Sequence, residues 1–233
     1  MKNYRYLDLI TALFVTVLLV SNIAAVKLLH LGPFSFDGGT ILFPLSYIFG
    51  DVLTEVYGYQ RSRRVIWIGF ACLALMAITL AVVQALPADS FWSYPDNGLL
   101  TPEATQSAFN ALLGQAPRIV LASLIAYWAG EFSNSYLLAK LKLRTQGRFL
   151  WLRTISSTLL GQGVDTIFFV FIAFWGVLPN EVLTVMLVSN YVFKVLVEIA
   201  FTPLTYTVVN ALKRVEMEDY FDRNTDFNPL KVG

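Results

Sequence analysis

Thiol and imidazole chemistry have almost no material in this chain: its 233 residues include one cysteine, Cys72, and one histidine, His30. A single cysteine excludes an intrachain disulfide, and Cys72 sits in an apolar run that gives no thiolate metal set. His30 is as isolated, so no metal site and no catalytic residue is expected. No GxSxG nucleophile elbow and no GxxxxGK[ST] phosphate loop occurs, and no cofactor is expected. Charge is also scarce, at 14% of residues against roughly 25% in soluble domains. The net charge of +1 hides a strong segregation of the basic residues and so says nothing about nucleic acid, which is not among the expected partners.

What the chain has in quantity is apolar surface. Hydrophobic residues make up 56% of it and aromatics 15%, and the mean hydropathy is +0.60. A hydrocarbon core of ~30 Å is crossed by about 20 helical residues. Six segments reach that length, at 7–29, 40–58, 65–86, 116–139, 154–178 and 183–212, the last interrupted by Pro203. The sequence predicts an all-α polytopic membrane bundle of six transmembrane helices, filling residues 1–233 as one domain. Lys2 and Arg5 before the first run resemble a signal peptide, but apolar residues resume through Val26–Leu29, which is span length. Residues 87–115 form the longest connection, and Thr101 is placed to cap a short helix at 103–114. A polar cytoplasmic tail is expected at 213–233, loosely held over 216–233.

Basic residues set the orientation. Lys2, Arg5, Arg61, Arg63, Arg64, Lys140, Lys142, Arg144, Arg148, Arg153, Lys213, Arg214, Arg223 and Lys231 all fall on one side of a six-span topology. Lys27, Arg118 and the acids Asp37, Asp89, Asp96, Glu103 and Glu181 fall on the other. The alternation over every loop puts both termini on the cytoplasmic side, and the location expected on the resemblance given below is the cytoplasmic (inner) membrane.

Inside those spans lie residues that lipid does not tolerate cheaply. Tyr47, Asp51 and Glu55 recur every four residues in the second span, and Tyr127, Glu131, Asn134 and Ser135 line one stripe of the fourth. Thr158, Gln162, Asp165 and Thr166 share a face of the fifth, and Asn190, Lys194 and Glu198 repeat in the sixth. Helical spacing gathers each set onto one side, so four stripes point inward to a polar cavity at the bundle centre. Five acids, Asp51, Glu55, Glu131, Asp165 and Glu198, face one internal cation, Lys194. That surplus suits a cation, a proton relay or a ligand rich in hydrogen-bond donors. Asp51 and Glu55 repel one another unless a proton or a cation such as Lys194 lies between them. A structural Lys194–Glu198 pair within one helix, and a packing role for Ser21-Asn22 and Gly161-x-Gly163, are the plainer alternatives.

Several stretches resemble the queuosine precursor transporters, also called the vitamin uptake family. They are Ser21-Asn22, FPLSYIFGDVLTEVYGY at 43–59 with the arginines after it, LWLRTISSTLLGQGVDTIFFVFIAF at 150–174, Asn190/Tyr191/Lys194, and TDFNP at 225–229. The resemblance implies uptake of 7-cyano-7-deazaguanine, a related 7-deazaguanine or queuine. A carboxylate can accept the adjacent N–H donors of a guanine-like edge in parallel, and an aromatic ring can stack on its face. Asp165 or Glu131 is expected to take the donor edge, with Gln162 and Asn22 or Asn190 completing recognition. Asp51, Glu55, Lys194 and Glu198 are assigned to gating or proton coupling. The expected partners are thus a small deazapurine, the lipid bilayer, a coupling proton or cation, and a second copy if the protein is a homo-oligomer. The competing reading is a substrate-binding subunit of an energy-coupling-factor transporter that borrows an ATPase. An intramembrane carboxylate hydrolase is a third class.

Overall fold

The computed structural model describes residues 4–31, 34–114, 117–176 and 179–231. Its helices are α1 (Leu7–Ala24), α2 (Phe43–Tyr57), α3 (Tyr59–Ala85), α4 (Pro102–Leu113), α5 (Pro117–Thr145), α6 (Leu150–Phe174) and α7 (Asn180–Glu216). A hairpin of β1 (Leu28–Leu31) and β2 (Phe34–Asp37) follows α1, paired antiparallel from Leu28↔Asp37 to Leu31↔Phe34.

The first span is therefore shorter than its apolar run. The expected helix at 7–29 ends at Ala24, and Leu28 and Leu29 belong to a strand. A short apolar run does not tell strand from helix by itself, and Gly32-Pro33 cannot prolong a helix through it. The second expected span, 40–58, becomes a 3₁₀ turn over Gly38–Leu42 and the 15-residue α2. At 1.5 Å per residue α2 is only about 22 Å long.

Among the described residues four helices are long and apolar enough to cross a membrane: α1, α3, α6 and, within α7, Leu183–Glu216. Their best windows have mean hydropathies of 2.1, 2.5, 1.6 and 1.6. Together they make this a multi-pass membrane protein. α7 continues helical through Pro203. α4 begins where Thr101 caps it, its side chain accepting from the Ala104 N–H at 3.2 Å.

α2 is the centre of the bundle. Val52, Leu53, Thr54, Glu55, Val56 and Tyr57 are each 0–1% exposed, because α1, α3, α5 and α7 all pack around it. A helix so enclosed meets protein rather than lipid, which is why its sequence tolerates two carboxylates. Outer helices show the converse pattern: Leu75, Ile78 and Val82 of α3 and Val185, Leu196 and Ile199 of α7 are exposed apolar side chains, as a lipid-facing surface requires.

Two close approaches hold α5 in place. Against α6, a Cβ on Gly130 would lie 2.8 Å from Cβ of Asp165, and one on Gly161 would lie 2.7 Å from Cβ of Asn134. Only glycine permits that separation, the usual device for bringing helices together in a membrane. Against α3, the Tyr127 hydroxyl donates to the Ile66 carbonyl at 3.1 Å across the space Gly69 leaves open. Both chain ends meet at the same end of the bundle: Tyr4 donates to Glu218 at 3.1 Å, and the Arg5 and Tyr6 N–H groups donate to Glu216 at 3.0 and 2.7 Å.

Candidate functional site

The polar stripes divide into three groups rather than one. The first joins α5, α6 and α7. Lys194 Nζ lies 2.6 Å from Asp165 Oδ2, both side chains being partly exposed, and Glu131 interacts electrostatically with both. The Oε2 of Glu131 is buried with no hydrogen-bond partner among the described residues. Gly50 of α2 faces it, since a Cβ there would lie 3.4 Å from Glu131 Oε2 and 3.8 Å from Asn134 Nδ2. Gln162 lies half-buried one turn before Thr166 on α6, and the Thr166 hydroxyl is another buried polar atom without a partner.

The second group joins α2 and α7. Asp51 and Glu198 are each 1% exposed, and Glu198 leads the acids that act on Asp51, ahead of Glu55 and Glu131. Among the described residues none of the four carboxylate oxygens makes a hydrogen bond of ordinary length and angle, although the Asn134 side chain is near enough to Asp51 to act on it as a donor. Asn134, 8% exposed with its Oδ1 unpartnered, stands beside them. An uncompensated buried carboxylate is costly, and two side by side are more so. This arrangement therefore calls for a proton, a cation or a donor-rich ligand.

The third group is separate and takes Glu55 away from Asp51. Glu55 is 0% exposed, and its Oε1 lies 2.6 Å from Arg153 Nη2, 2.7 Å from Lys213 Nζ and 3.5 Å from Lys142 Nζ. Asp219 closes the cluster, 2.6 Å from Lys142 and 2.8 Å from Lys213. Lys142 also donates to the carbonyls of Glu55 and of Tyr220. The cation expected between Asp51 and Glu55 is thus not Lys194, which pairs with Asp165 instead. Three other cations, on α5, α6 and α7, hold Glu55. Beside this cluster, Thr54, Ser62 and Ser135 form a buried hydroxyl triad at 3.0–3.1 Å.

Of the other expected ligand residues, Asn190 lies exposed on α7. Asn22 donates within its own helix to the Leu18 carbonyl at 2.9 Å. It also lines a mainly apolar cavity of about 560 Å³ between α1, α3 and α5, with Gln84 and Ser123 as its polar neighbours. A cavity of about 550 Å³ opens at the terminal end beside Asn210, Lys213 and Asp219. Neither is lined by the carboxylates of the first two groups, where a central polar cavity was expected. The side chain of Tyr47 lies outside the described residues. Asn134 was expected in the inward stripe with Glu131 but was given no binding role, and Gly161 was given the packing role that its contact with Asn134 and Gly130 fits; the partner glycine, Gly130, was not singled out. Small residues facing a carboxylate across a helix pair were the available signal.

Buried carboxylates at the helix contacts of a multi-pass bundle suit the handling of something polar within the membrane. The comparisons agree: residues 37–208 match the family described as "Putative vitamin uptake transporter". The chain belongs to this family, and is a transporter rather than an enzyme. It is 28% identical over 188 residues to the "Probable queuosine precursor transporter" of Bacillus subtilis (strain 168), covering 80% of this chain and 77% of that one. It is 27% identical over 216 residues to the "Queuosine precursor transporter" of Escherichia coli (strain K12), covering 91% of this chain and 90% of that one. No solved structure matches it.

Proposed function

We propose that this protein imports a 7-deazaguanine precursor of queuosine, such as 7-cyano-7-deazaguanine, across the cytoplasmic membrane. The observation that carries the reading is the coincidence of two relatives named for that substrate with a carboxylate, Glu131, whose Oε2 is buried without a hydrogen-bond partner among the described residues, at the meeting of α2, α5, α6 and α7. Glu131 accepts the paired N–H donors of the guanine-like edge, a charge-assisted bidentate contact. Asp165 and Lys194, already paired at 2.6 Å, flank it and exchange partners as substrate enters. Gln162 and Asn190 serve the carbonyl and ring-nitrogen positions. The cavity holding Asn22 and Gln84 is the outer approach, and its volume lies in the range of small-molecule sites.

Asp51 and Glu198 supply the coupling site. Two buried carboxylates facing each other hold one proton more readily than none, and exchanging it between the two sides of the membrane ties substrate movement to the proton gradient.

The crossing number is six. Chain ends that meet at one end of the bundle require an even number of passes. α5, 29 residues long, extends about 43 Å and is long enough to cross despite its basic last turns. α2 completes the set with the turn preceding it. The basic end, holding both termini, is cytoplasmic by the positive-inside rule. The two relatives are named as transporters rather than as binding subunits, which favours this reading over a capture subunit dependent on an ATPase. The test is uptake of labelled 7-cyano-7-deazaguanine into vesicles holding only the purified chain. Binding without uptake would return the capture subunit to first place.

A further inference from the structure

Residues 217–231 were expected to trail loosely, and instead they bind back over the bundle. Met217 turns the chain at the end of α7 with φ +48°. Glu216 accepts from the Tyr57 hydroxyl at 3.0 Å and from the α1 end through Arg5 and Tyr6. Asp219 joins Lys142 and Lys213. The Tyr220 ring then covers Gly58, where a Cβ would lie 2.2 Å from it and where φ is +87°. Asp222, 2% exposed, accepts the Tyr59 N–H with both oxygens at 3.0–3.1 Å and so caps α3. Phe227 packs on Tyr59 and Tyr136, with Lys140 Nζ 3.9 Å from its ring centre. Arg63 donates to the carbonyls of Asp226 and Asn228 at 2.8 and 2.6 Å, and Trp67 donates to that of Pro229 at 2.9 Å.

One segment thus ties together the basic ends of α1, α2, α3, α5 and α7, and reaches α6 through Asp219, Lys142 and the Glu55–Arg153 pair. A transporter that opens to each side in turn must separate some of these ends, and none can part from the others while the segment is seated. We propose that residues 217–231 are a gate strap. Seated, it seals the terminal end of the transport path; released, it lets α2 and α3 swing from α5. Glu55 is the anchor on which the strap is keyed, because the lysines that grip Asp219 are the ones that neutralise Glu55. This inference rests on the transport reading above, and its test separates the two.

The chain's one cysteine permits a clean background, Cys72→Ala. Ser135→Cys in that background places a thiol at a fully buried site beside Thr54 and Ser62, beneath the strap. Its reaction with a bulky maleimide in detergent micelles reports opening without any substrate. Deleting 219–233 should raise the labelling rate about tenfold or more, as expected for loss of a local closing equilibrium. Arg63→Gln, which loosens only the attachment at 226–228, should raise it less while the protein keeps its melting temperature. Separately, Tyr136→Cys with Phe227→Cys, joined by a reducible bifunctional reagent, should stop uptake of 7-cyano-7-deazaguanine until the link is cut. Unchanged labelling in the truncated and Arg63→Gln chains, or undiminished uptake by the linked protein, overturns the strap. Labelling that responds as stated in a protein that transports no deazaguanine overturns the substrate reading alone.

Discussion

Single residues already divide the internal acids by role. Glu55 and Glu131 look alike in sequence, each a carboxylate in an apolar helix, yet one has three cationic partners and the other has an unpartnered oxygen. Removing each should therefore fail differently. Glu55→Gln leaves Arg153, 1% exposed at the side chain, without its counter-charge and Lys142 with Asp219 alone, and breaking such a buried pair costs about 3–5 kcal/mol. A lowered melting temperature of the detergent-purified protein is the expected outcome. Glu131→Gln should leave folding intact and weaken deazaguanine binding about tenfold to a hundredfold, the worth of a charge-assisted hydrogen bond of ~1.5–3 kcal/mol. Equilibrium binding against thermal unfolding distinguishes the pair.

The strap adds a pH signature at the same scale. Burial pushes the Asp219 carboxyl up, but hydrogen bonds and charge from Lys142 and Lys213 outweigh it and hold the group below its ordinary range. Burial pushes Asp222 up, and there the Tyr59 N–H and Thr225 hydroxyl do not fully offset it. A depressed carboxyl contributes attachment that is complete above its ordinary value of about 3.9 and is lost as pH falls through its own lower value. Asp222 has the opposite sign: its contribution is complete below its ordinary value and falls away as pH rises through its raised one. Asp219 therefore keeps the strap seated through mild acid. In the Ser135→Cys labelling assay, the intact chain should stay protected down to about pH 4, and Asp219→Asn should lose protection already at neutral pH.

Among elements, the α5–α6 contact is the one most sensitive to a single methyl group. Gly161→Ala would place a carbon 2.7 Å from the Asn134 Cβ and 3.0 Å from the Gly130 carbonyl oxygen, backbone and Cβ atoms that cannot rotate aside. Overpacking of this kind costs about 1–3 kcal/mol, and by spreading the helices it also displaces Asn134 and Glu131 from α6. Lower thermal stability together with reduced uptake is expected, whereas Gly176→Ala, with nothing within 4 Å but a φ of +76°, should affect stability through backbone strain alone.

The helices were largely legible because their apolar runs are long: α3, α6 and α7 lie within a few residues of 65–86, 154–178 and 183–212. The start of α3 at Tyr59 was hidden by Gln60 and three arginines, which read as a loop until their partners in the tail are seen. Leu28–Leu31 was hidden by its apolarity, which suits strand and helix equally. Least legible was the tail. Its contacts join residues far apart in sequence, Tyr59 with Asp222 and Tyr57 with Glu216, and a short acidic segment has no periodicity to announce that it is packed. The carboxylates were legible as a set, since their helical spacing is plain, but their division into three groups depends on which helices meet.

At the scale of the whole molecule, the chain is a bundle wrapped around one short polar helix. α2 carries Asp51 toward the middle and Glu55 toward the terminal end, so a shift of this helix moves the coupling acid and the strap's anchor together. That links the proposed proton site to the proposed gate through one rigid element, with no relay of intervening side chains. Asp51→Asn and Glu198→Gln should accordingly preserve exchange of labelled for unlabelled deazaguanine while abolishing accumulation driven by a proton gradient.

The most direct test is the time course of labelled 7-cyano-7-deazaguanine entering vesicles that contain only this purified chain, with and without an inward proton gradient. The account predicts saturable uptake that the gradient drives above equilibrium, and that Asp51→Asn reduces to equilibrium. Uptake indifferent to the gradient would contradict proton coupling, and its complete absence would contradict a self-sufficient deazaguanine importer.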